Sequence, residues 1–289
     1  HTLPQEFIVD SQDDVREPIG MSGIRLEVKV HIVTGAVSAV QNIVKCVRRC
    51  GLEVSDLILQ PMASADAVLT NDEKELGVVL IDIGGGTTDV AVFSEGSIRH
   101  TAVIPIAGDQ ITNDIAMALR TPTPAADEIK VRYACVVPQM VDPEQTISVP
   151  GMGDRPARTL ARQTLSAVVE PRYEELFSIV QMELERCGYA DQLAAGVVMT
   201  GGSSKIEGAI QLAESIFHLP VRIGMPKSLK LGGTEELLRN PIYATGIGLL
   251  FYGMQRTLAS GQNSSTRAIR REDDGASWTG RVKVWFASN

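Results

Sequence analysis

Between residues 78 and 93 the chain reads VVLIDIGGGTTDVAVF. Two strongly apolar runs are joined by three glycines, with Asp82 before them and Asp89 after. An apolar run that ends in Asp82 delivers a carboxylate to the edge of a sheet. Gly84, Gly85 and Gly86 can adopt positive φ and bring bare amides against a ligand. Successive N–H groups turned inward form a nest for an anion, and Thr87 and Thr88 add hydroxyl donors. Phosphate oxygens supply matching acceptors, and Mg²⁺ reconciles Asp82 with their negative charge. A plain glycine-rich hairpin turn is the rival reading. The spacing is neither GxGxxG nor a Walker loop: no lysine follows the glycines, and a strand follows where a helix is required.

A second stretch, residues 196–208, reads GVVMTGGSSKIEG. It describes a buried strand, a Gly201-Gly202 turn and a helix N-terminus. Such a turn lets backbone approach a nucleotide closely, with the helix dipole facing the phosphates. Taken alone it is equally a tight strand–helix turn.

These residues need a sheet to hold them. Val78–Ile83, Val90–Phe93 and Ile98–Ile104 read as three strands, and SEGS between the last two reads as a hairpin, so the region is an antiparallel meander. Arg25–Val33 alternates apolar and polar residues as a half-buried strand. Ser38–Cys50 has helical spacing with Gly51 as a stop. Leu57–Leu59 reads as a short strand, Ala63–Leu69 as a helix and residues 71–75 as a polar loop. Gln110–Leu119 reads as a helix that TPTPA breaks at residues 121–125, with a restart over Ala126–Arg132. Residues 133–156 are strand-like and proline-rich. Thr159–Arg186 reads as a helix interrupted at Glu170-Pro171. Leu193–Met199 is a buried strand, a helix follows near residues 205–217, Val221–Ile223 is a short strand, and a last helix covers about 242–254. Residues 255–276, rich in Ser, Gly, Gln, Arg and Asp, read as a flexible linker.

The 289 residues leave room for two domains, and 44% hydrophobic content implies a sizeable core. A net charge of −8 with 4% aromatics argues against general nucleic-acid binding. The cysteines at 46, 50, 135 and 187 form no CxxC, and the histidines at 1, 31, 100 and 218 no metal pattern. No apolar run reaches the ~18–20 residues that span a bilayer. The chain starts HTLPQEF without an initiator Met, which reads as the product of N-terminal truncation. At the other end, SWTGRVKVWFASN places Trp278, Val282, Trp285 and Phe286 on one arc of a helical wheel, flanked by Arg281 and Lys283. Val282, Val284 and Phe286 also alternate with Arg281, Lys283 and Trp285, as in a strand.

Together the two glycine stretches resemble the actin/Hsp70/sugar-kinase superfamily. DIGGGTTD resembles its second phosphate loop, VVMTGGSSKIEG its adenosine motif, and YATGIGLL, residues 243–250, its closing hinge helix, where Ala244, Gly246 and Gly248 permit close packing. LPQEF, NIVKCVRRCGLEV, NDEKELGVVLIDIGGGTTD, RQTLSAVVEPRYEEL and TGGSSKIEG further resemble, in order, segments of the FtsA family of bacterial cell-division actin homologues. The resemblance implies an α/β, actin-like two-lobed ATPase fold, its N-terminal part missing, with a C-terminal linker and amphipathic helix. It places residues 1–34 at the end of subdomain 1C and 35–75 at the end of 1A. Residues 76–120 and 193–254 become subdomain 2A, 121–192 subdomain 2B, 255–276 the linker and 277–289 the membrane-targeting helix.

The implied cofactors are ATP and Mg²⁺. Asp82 faces the metal through water, Gly84, Gly85, Gly86 and Thr87 hold phosphate, Gly201 and Gly202 contact adenosine, and Glu128 and Lys130 lie near the base or ribose. The first phosphate loop belongs upstream of His1, which leaves the cleft half built. Hydrolysis needs a positioned water and a base, and no residue stands out as that base, so the expectation is weak ATPase activity at most. The implied partner is the C-terminal tail of FtsZ, the division-ring protein, docking around EPRYEEL, where Arg172 and Glu175 match. Arg158 matches a contact between neighbouring subunits of a polymer. Arg155, Arg158, Arg162 and Arg172 read as a locally basic face for an anionic peptide. Later division proteins and an anionic membrane surface complete the partners, with no nucleic acid. Trp278, Arg281, Val282, Lys283, Trp285 and Phe286 form the implied anchor. These expectations place the protein at the division septum, on the cytoplasmic face of the inner membrane. The alternatives are another ATPase or kinase of the superfamily, or the pilus-assembly actin homologue.

Overall fold

The computed structural model describes residues 1–227 and 238–264. The N-terminal residues form β1 (Thr2–Val9), β2 (Gln12–Val15) and β3 (Leu26–Ile32), an antiparallel sheet in the order β2-β1-β3. Helices α1 (Val37–Arg49), α2 (Gln60–Val68) and α3 (Asn71–Leu76) follow. The residues expected as a strand at 57–59 are unpaired and lead directly into α2. The expected polar loop at 71–75 is instead α3, because Thr70 builds a capping box. Its hydroxyl accepts from the Glu73 amide at 3.2 Å, and the Glu73 carboxylate accepts from the Thr70 amide at 2.8 Å. The Thr-x-x-Glu signal for this cap is present in the sequence.

The central sheet begins with the meander β4 (Val78–Ile83), β5 (Thr88–Ser94) and β6 (Ser97–Ile104). The chain continues through α4 (Gly108–Leu119), α5 (Thr123–Tyr133), a two-stranded ribbon of β7 (Thr146–Val149) and β8 (Arg158–Ala161), and α6 (Arg162–Cys187). It returns as β9 (Val197–Thr200), α7 (Ala209–Phe217), β10 (Val221–Ile223) and α8 (Ala244–Ser264). The sheet order is β10-β9-β4-β5-β6, with β10, β9 and β4 parallel and β4, β5 and β6 antiparallel. Alternation along β4 divides the core in two. Val79, Ile81 and Ile83 face the cluster built by α4, α6 and α7, while Val78 and Leu80 face α2 and α8. Asp82 shares the parity of Val78 and Leu80, so it points to the α2/α8 side.

Helix α6 runs without a break through Pro171, contrary to the expected interruption. Pro171 is exposed, so the carbonyl it leaves unbonded, on exposed Ala167, faces solvent. Leu165, Val169, Tyr173, Leu176, Phe177, Val180 and Leu184 keep one buried stripe across it. The helix also starts later than expected, since Arg158–Ala161 pairs with β7 as a strand. Between 133 and 156 only Thr146–Val149 is a strand.

At the hinge helix, a Cβ on Gly248 would lie 1.7 Å from the Ala63 carbonyl oxygen, so α2 and α8 meet backbone to backbone there. Gly246, expected to serve the same packing, has open space around it. Helix α8 extends to Ser264, over the first part of the expected linker. The rest of that linker and the terminal segment carrying Trp278, Arg281, Val282, Lys283, Trp285 and Phe286 lie outside the described residues. No described helix is long and apolar enough to cross a membrane.

Candidate functional site

The two glycine turns meet at the ends of β4 and β9. Asp82 pairs with Thr200 across these parallel strands, which sets both turns at one edge of the sheet. Gly201 has φ +86°, and a Cβ there would come within 2.4 Å of the Ile83 carbonyl oxygen and 2.6 Å of Asp82 Oδ1. Only glycine lets the second turn pass this close to the first. The hydroxyl of Ser203 then donates to the Gly84 carbonyl at 2.9 Å. Gly84 carbonyl also accepts from the Gly108 amide at 3.1 Å, and Gly85 carbonyl from the Asp109 amide at 2.7 Å. The N-terminus of α4 therefore fixes the outer side of the turn.

Gly84, Gly85 and Gly86 do not use positive φ, contrary to expectation. The Gly84 amide closes the turn on the Thr87 carbonyl at 3.0 Å with ordinary backbone angles. What the missing side chains provide is bareness. Gly85, Gly86 and Thr87 are exposed, and their amides make no hydrogen bond among the described residues. Free, adjacent N–H groups on a braced turn are the donors that a phosphate requires. The fit to a nucleotide phosphate is thus a property of this turn, and Asp82 beside it suits the accompanying cation through water.

Asp82 is 3% exposed. Its Oδ2 accepts from Ser64 of α2 at 2.6 Å and from Thr245 of α8 at 3.3 Å. Asp89 lies opposite it in the β4–β5 register. Burial, and then the Asp82 charge, push the Asp89 carboxyl up to about 6.

Lys130 reaches this assembly from α5. Its ammonium donates to the Gly108 carbonyl at 3.1 Å and to Thr112 Oγ1 at 2.6 Å, and it pairs with Asp127 at 2.8 Å. Glu128 is not brought in: it pairs with Arg132 on the exposed face of α5. Ser64, Gly108 and Asp109 escape a motif-based reading because each acts from a neighbouring element, while Ser203 and Thr245 lie within the stretches 196–208 and 243–250, whose pattern does not name their partners. Gly108-Asp109 carries a faint signal, since it opens a helix just after the meander.

Two of the four arginines of the expected basic face, Arg162 and Arg172, are paired with carboxylates, while Arg158 donates to a neutral carbonyl and Arg155 makes no ion pair among the described residues. Arg172 is held by Asp114 of α4 at 2.6 and 3.0 Å, and by Glu175 at 2.6 Å. Arg162 pairs with Glu207, and Arg158 donates to the Leu119 carbonyl. The sequence could not reveal most of these acceptors, because Asp114, Leu119 and Glu207 are all distant in the chain from the arginines they meet. Arg172 and Glu175 adjoin each other, three residues apart on one helix.

Comparison with known proteins bears on these arrangements. The model of the cell division protein FtsA matches residues 79–248, and that of the SHS2 domain inserted in FtsA matches residues 1–34. FtsA of Pseudomonas aeruginosa is 60% identical over 291 aligned positions, covering 100% of this chain and 69% of that protein. The chain belongs to the FtsA family. FtsA of Neisseria meningitidis is 45% identical over 99% of this chain and 68% of its own length. For FtsA of Escherichia coli the figures are 44%, 99% and 69%. Among solved structures, MreB5 of Spiroplasma citri bound to ADP is similar with a TM-score of 0.62 and 20% identity, over 78% of this chain and 66% of that one. The PilM–PilN type IV pilus biogenesis complex gives 0.61 and 17%, over 88% of this chain and 66% of that one. These likenesses make the fold actin-like.

Proposed function

We propose that this FtsA-family chain is a nucleotide-dependent cell-division adaptor. It binds ATP with Mg²⁺, polymerises, and tethers the C-terminal tail of FtsZ to the cytoplasmic face of the inner membrane at the septum, where later division proteins join. The observation that carries the nucleotide part is the braced glycine turn. Its carbonyls are occupied by Ser203, Gly108 and Asp109, while the exposed amides of Gly85, Gly86 and Thr87 make no hydrogen bond among the described residues. Those amides hold phosphate, Gly201 and Gly202 contact the adenosine side, and Lys130 neutralises charge behind Gly108. Asp82 would hold Mg²⁺ through water, and the cation would supply positive charge beside the phosphate. In this reading ATP serves assembly and turnover is weak at most. The subdomain division proposed is 1C over 1–34, 1A over 35–75, 2A over 76–120 and 193–254, and 2B over 121–192. Within 2B, Arg172 and Glu175 on α6 are the docking residues for FtsZ, and Arg158 serves contacts between subunits.

The testing experiment is a titration with ATP in Mg²⁺ and again in excess EDTA. Saturable binding that falls at least tenfold in EDTA supports the reading. Equal binding in both, or none in either, overturns it.

A further inference from the structure

Asp109 is the acidic residue of the first turn of α4. Its amide donates to the Gly85 carbonyl at 2.7 Å, so its backbone braces the glycine turn. Its carboxylate lies beside the same turn. A Cβ on Gly85 would be 3.4 Å from Asp109 Oδ1 and 3.7 Å from Oδ2, and a Cβ on Gly86 would be 4.0 Å from Oδ2. Asp109 is exposed, and its carboxylate makes no hydrogen bond or ion pair among the described residues. The Lys130 ammonium, behind Gly108, is engaged by Asp127 at 2.8 Å and by Thr112 at 2.6 Å. An anion that reaches the amides of Gly85, Gly86 and Thr87 therefore meets an unneutralised carboxylate a few ångströms away. An acid in a helix's first turn also suits the helix dipole. That role concerns α4 alone and asks nothing of the glycines.

We propose that Asp109 is an electrostatic gate on the glycine turn, which selects against bare phosphate anions and favours a nucleotide whose charge Mg²⁺ has already reduced. The gate rests on the nucleotide reading above and deepens it, by naming a residue that sets which anion the turn accepts. The amides attract any phosphate equally, whereas the carboxylate repels each in proportion to its net charge. Free ATP and free polyphosphate are therefore penalised most. The repulsion acts through solvent at an exposed residue, so salt weakens it.

The test titrates ATP and inorganic tripolyphosphate, each in Mg²⁺ and in excess EDTA, into wild type, Asp109→Asn, Asp109→Ala and Asp109→Glu. In EDTA the two neutral variants are expected to bind both anions roughly fivefold more tightly than wild type. The loss of ATP affinity on removing Mg²⁺ shrinks by the same factor. Asp109→Glu keeps the charge and behaves as wild type, and added salt narrows the gap between wild type and Asp109→Ala. A role limited to the helix dipole lowers the melting temperature of the neutral variants and gains no anion affinity. Affinity in EDTA equal to or below that of wild type in Asp109→Ala overturns the gate and leaves the nucleotide reading standing. Tightening in Asp109→Asn alone also overturns it, since a hydrogen bond from the new amide explains that result. Tripolyphosphate binding that follows the gate, with no binding of ATP, sinks the nucleotide reading and leaves the gate. No binding of either anion by any variant overturns both.

Discussion

The Tyr173 hydroxyl donates to the Ser203 carbonyl at 2.6 Å, and the Ser203 hydroxyl donates to the Gly84 carbonyl at 2.9 Å. A fully buried tyrosine of α6 thus supports one glycine turn, which supports the other. Ser203→Ala removes the second link but leaves the Gly108 amide on Gly84. The expected cost is about 0.5–1.5 kcal/mol of stability, or roughly 1–5 °C in melting temperature. ATP affinity should fall several-fold, because the turn is less firmly held. Calorimetry and nucleotide titration check both. Unchanged affinity with lowered stability means that the link only supports the fold.

Gly85→Asp should abolish ATP binding while the protein stays folded. A Cβ at Gly85 would sit 3.4 Å from Asp109 Oδ1, which leaves room for a side chain. A carboxylate there adds negative charge beside Asp109 and in front of the free amides, and it repels phosphate. Gly85→Ala separates charge from bulk and should retain much more of the affinity. Equal loss in the two variants assigns the effect to shape.

The meander was legible because Val78–Ile81 of β4 and Val90–Phe93 of β5 are unbroken apolar runs, and SEGS marks the turn between β5 and β6. The site was legible only as two glycine turns. Nothing in local sequence says that Ser203 will meet Gly84, or that Ser64 will meet Asp82, since those contacts depend on how α2, α4 and β9 pack. Pro171 misled the reading of α6 because a proline's effect on a helix depends on which side faces solvent. The basic face misled it for a related reason. Arginines are counted in sequence, whereas the carboxylates that neutralise them, such as Asp114, are found in space.

Arg172→Glu should weaken binding of an FtsZ C-terminal peptide at least tenfold. The substitution also places a third carboxylate between Asp114 and Glu175, so a stability loss of about 1–2 kcal/mol accompanies it. Asp114→Asn distinguishes the two effects. It frees the guanidinium from its bidentate partner and should leave peptide binding equal to or tighter than wild type. Added salt should weaken the wild-type contact. A peptide affinity indifferent to Arg172→Glu places the docking surface elsewhere.

Residues Trp278, Val282, Trp285 and Phe286, with Arg281 and Lys283 beside them, support a surface anchor in sequence alone. Each buried apolar side chain contributes on the order of 1–2 kcal/mol before ordering costs, so one anchor binds weakly. Many anchors on a polymer bind tightly by avidity. Trp285→Glu should release the protein from anionic vesicles without changing its melting temperature. The same sedimented fraction for variant and wild type rejects the anchor.

Glu183 gives the fold an acid-sensitive contact. Its carboxylate accepts from Arg186 at 2.6 and 2.8 Å and meets His100 Nε2 at 2.7 Å. The Arg186 hydrogen bonds first, with His100 adding to them, hold its carboxyl down at about 2, against an ordinary 4.5. A carboxyl lowered on folding stabilises the protein above its unfolded value. That contribution is present above pH 4.5 and is lost as pH falls toward 2. Arg186 is 70% exposed, so solvent screening reduces the effect to about 1–2 kcal/mol. Glu183→Gln should therefore melt lower than wild type at pH 6, with the gap closing steadily below pH 4.5. Denaturation at a series of pH values measures that gap. A gap that stays constant down to pH 3 means that Glu183 acts through packing and not through its charge.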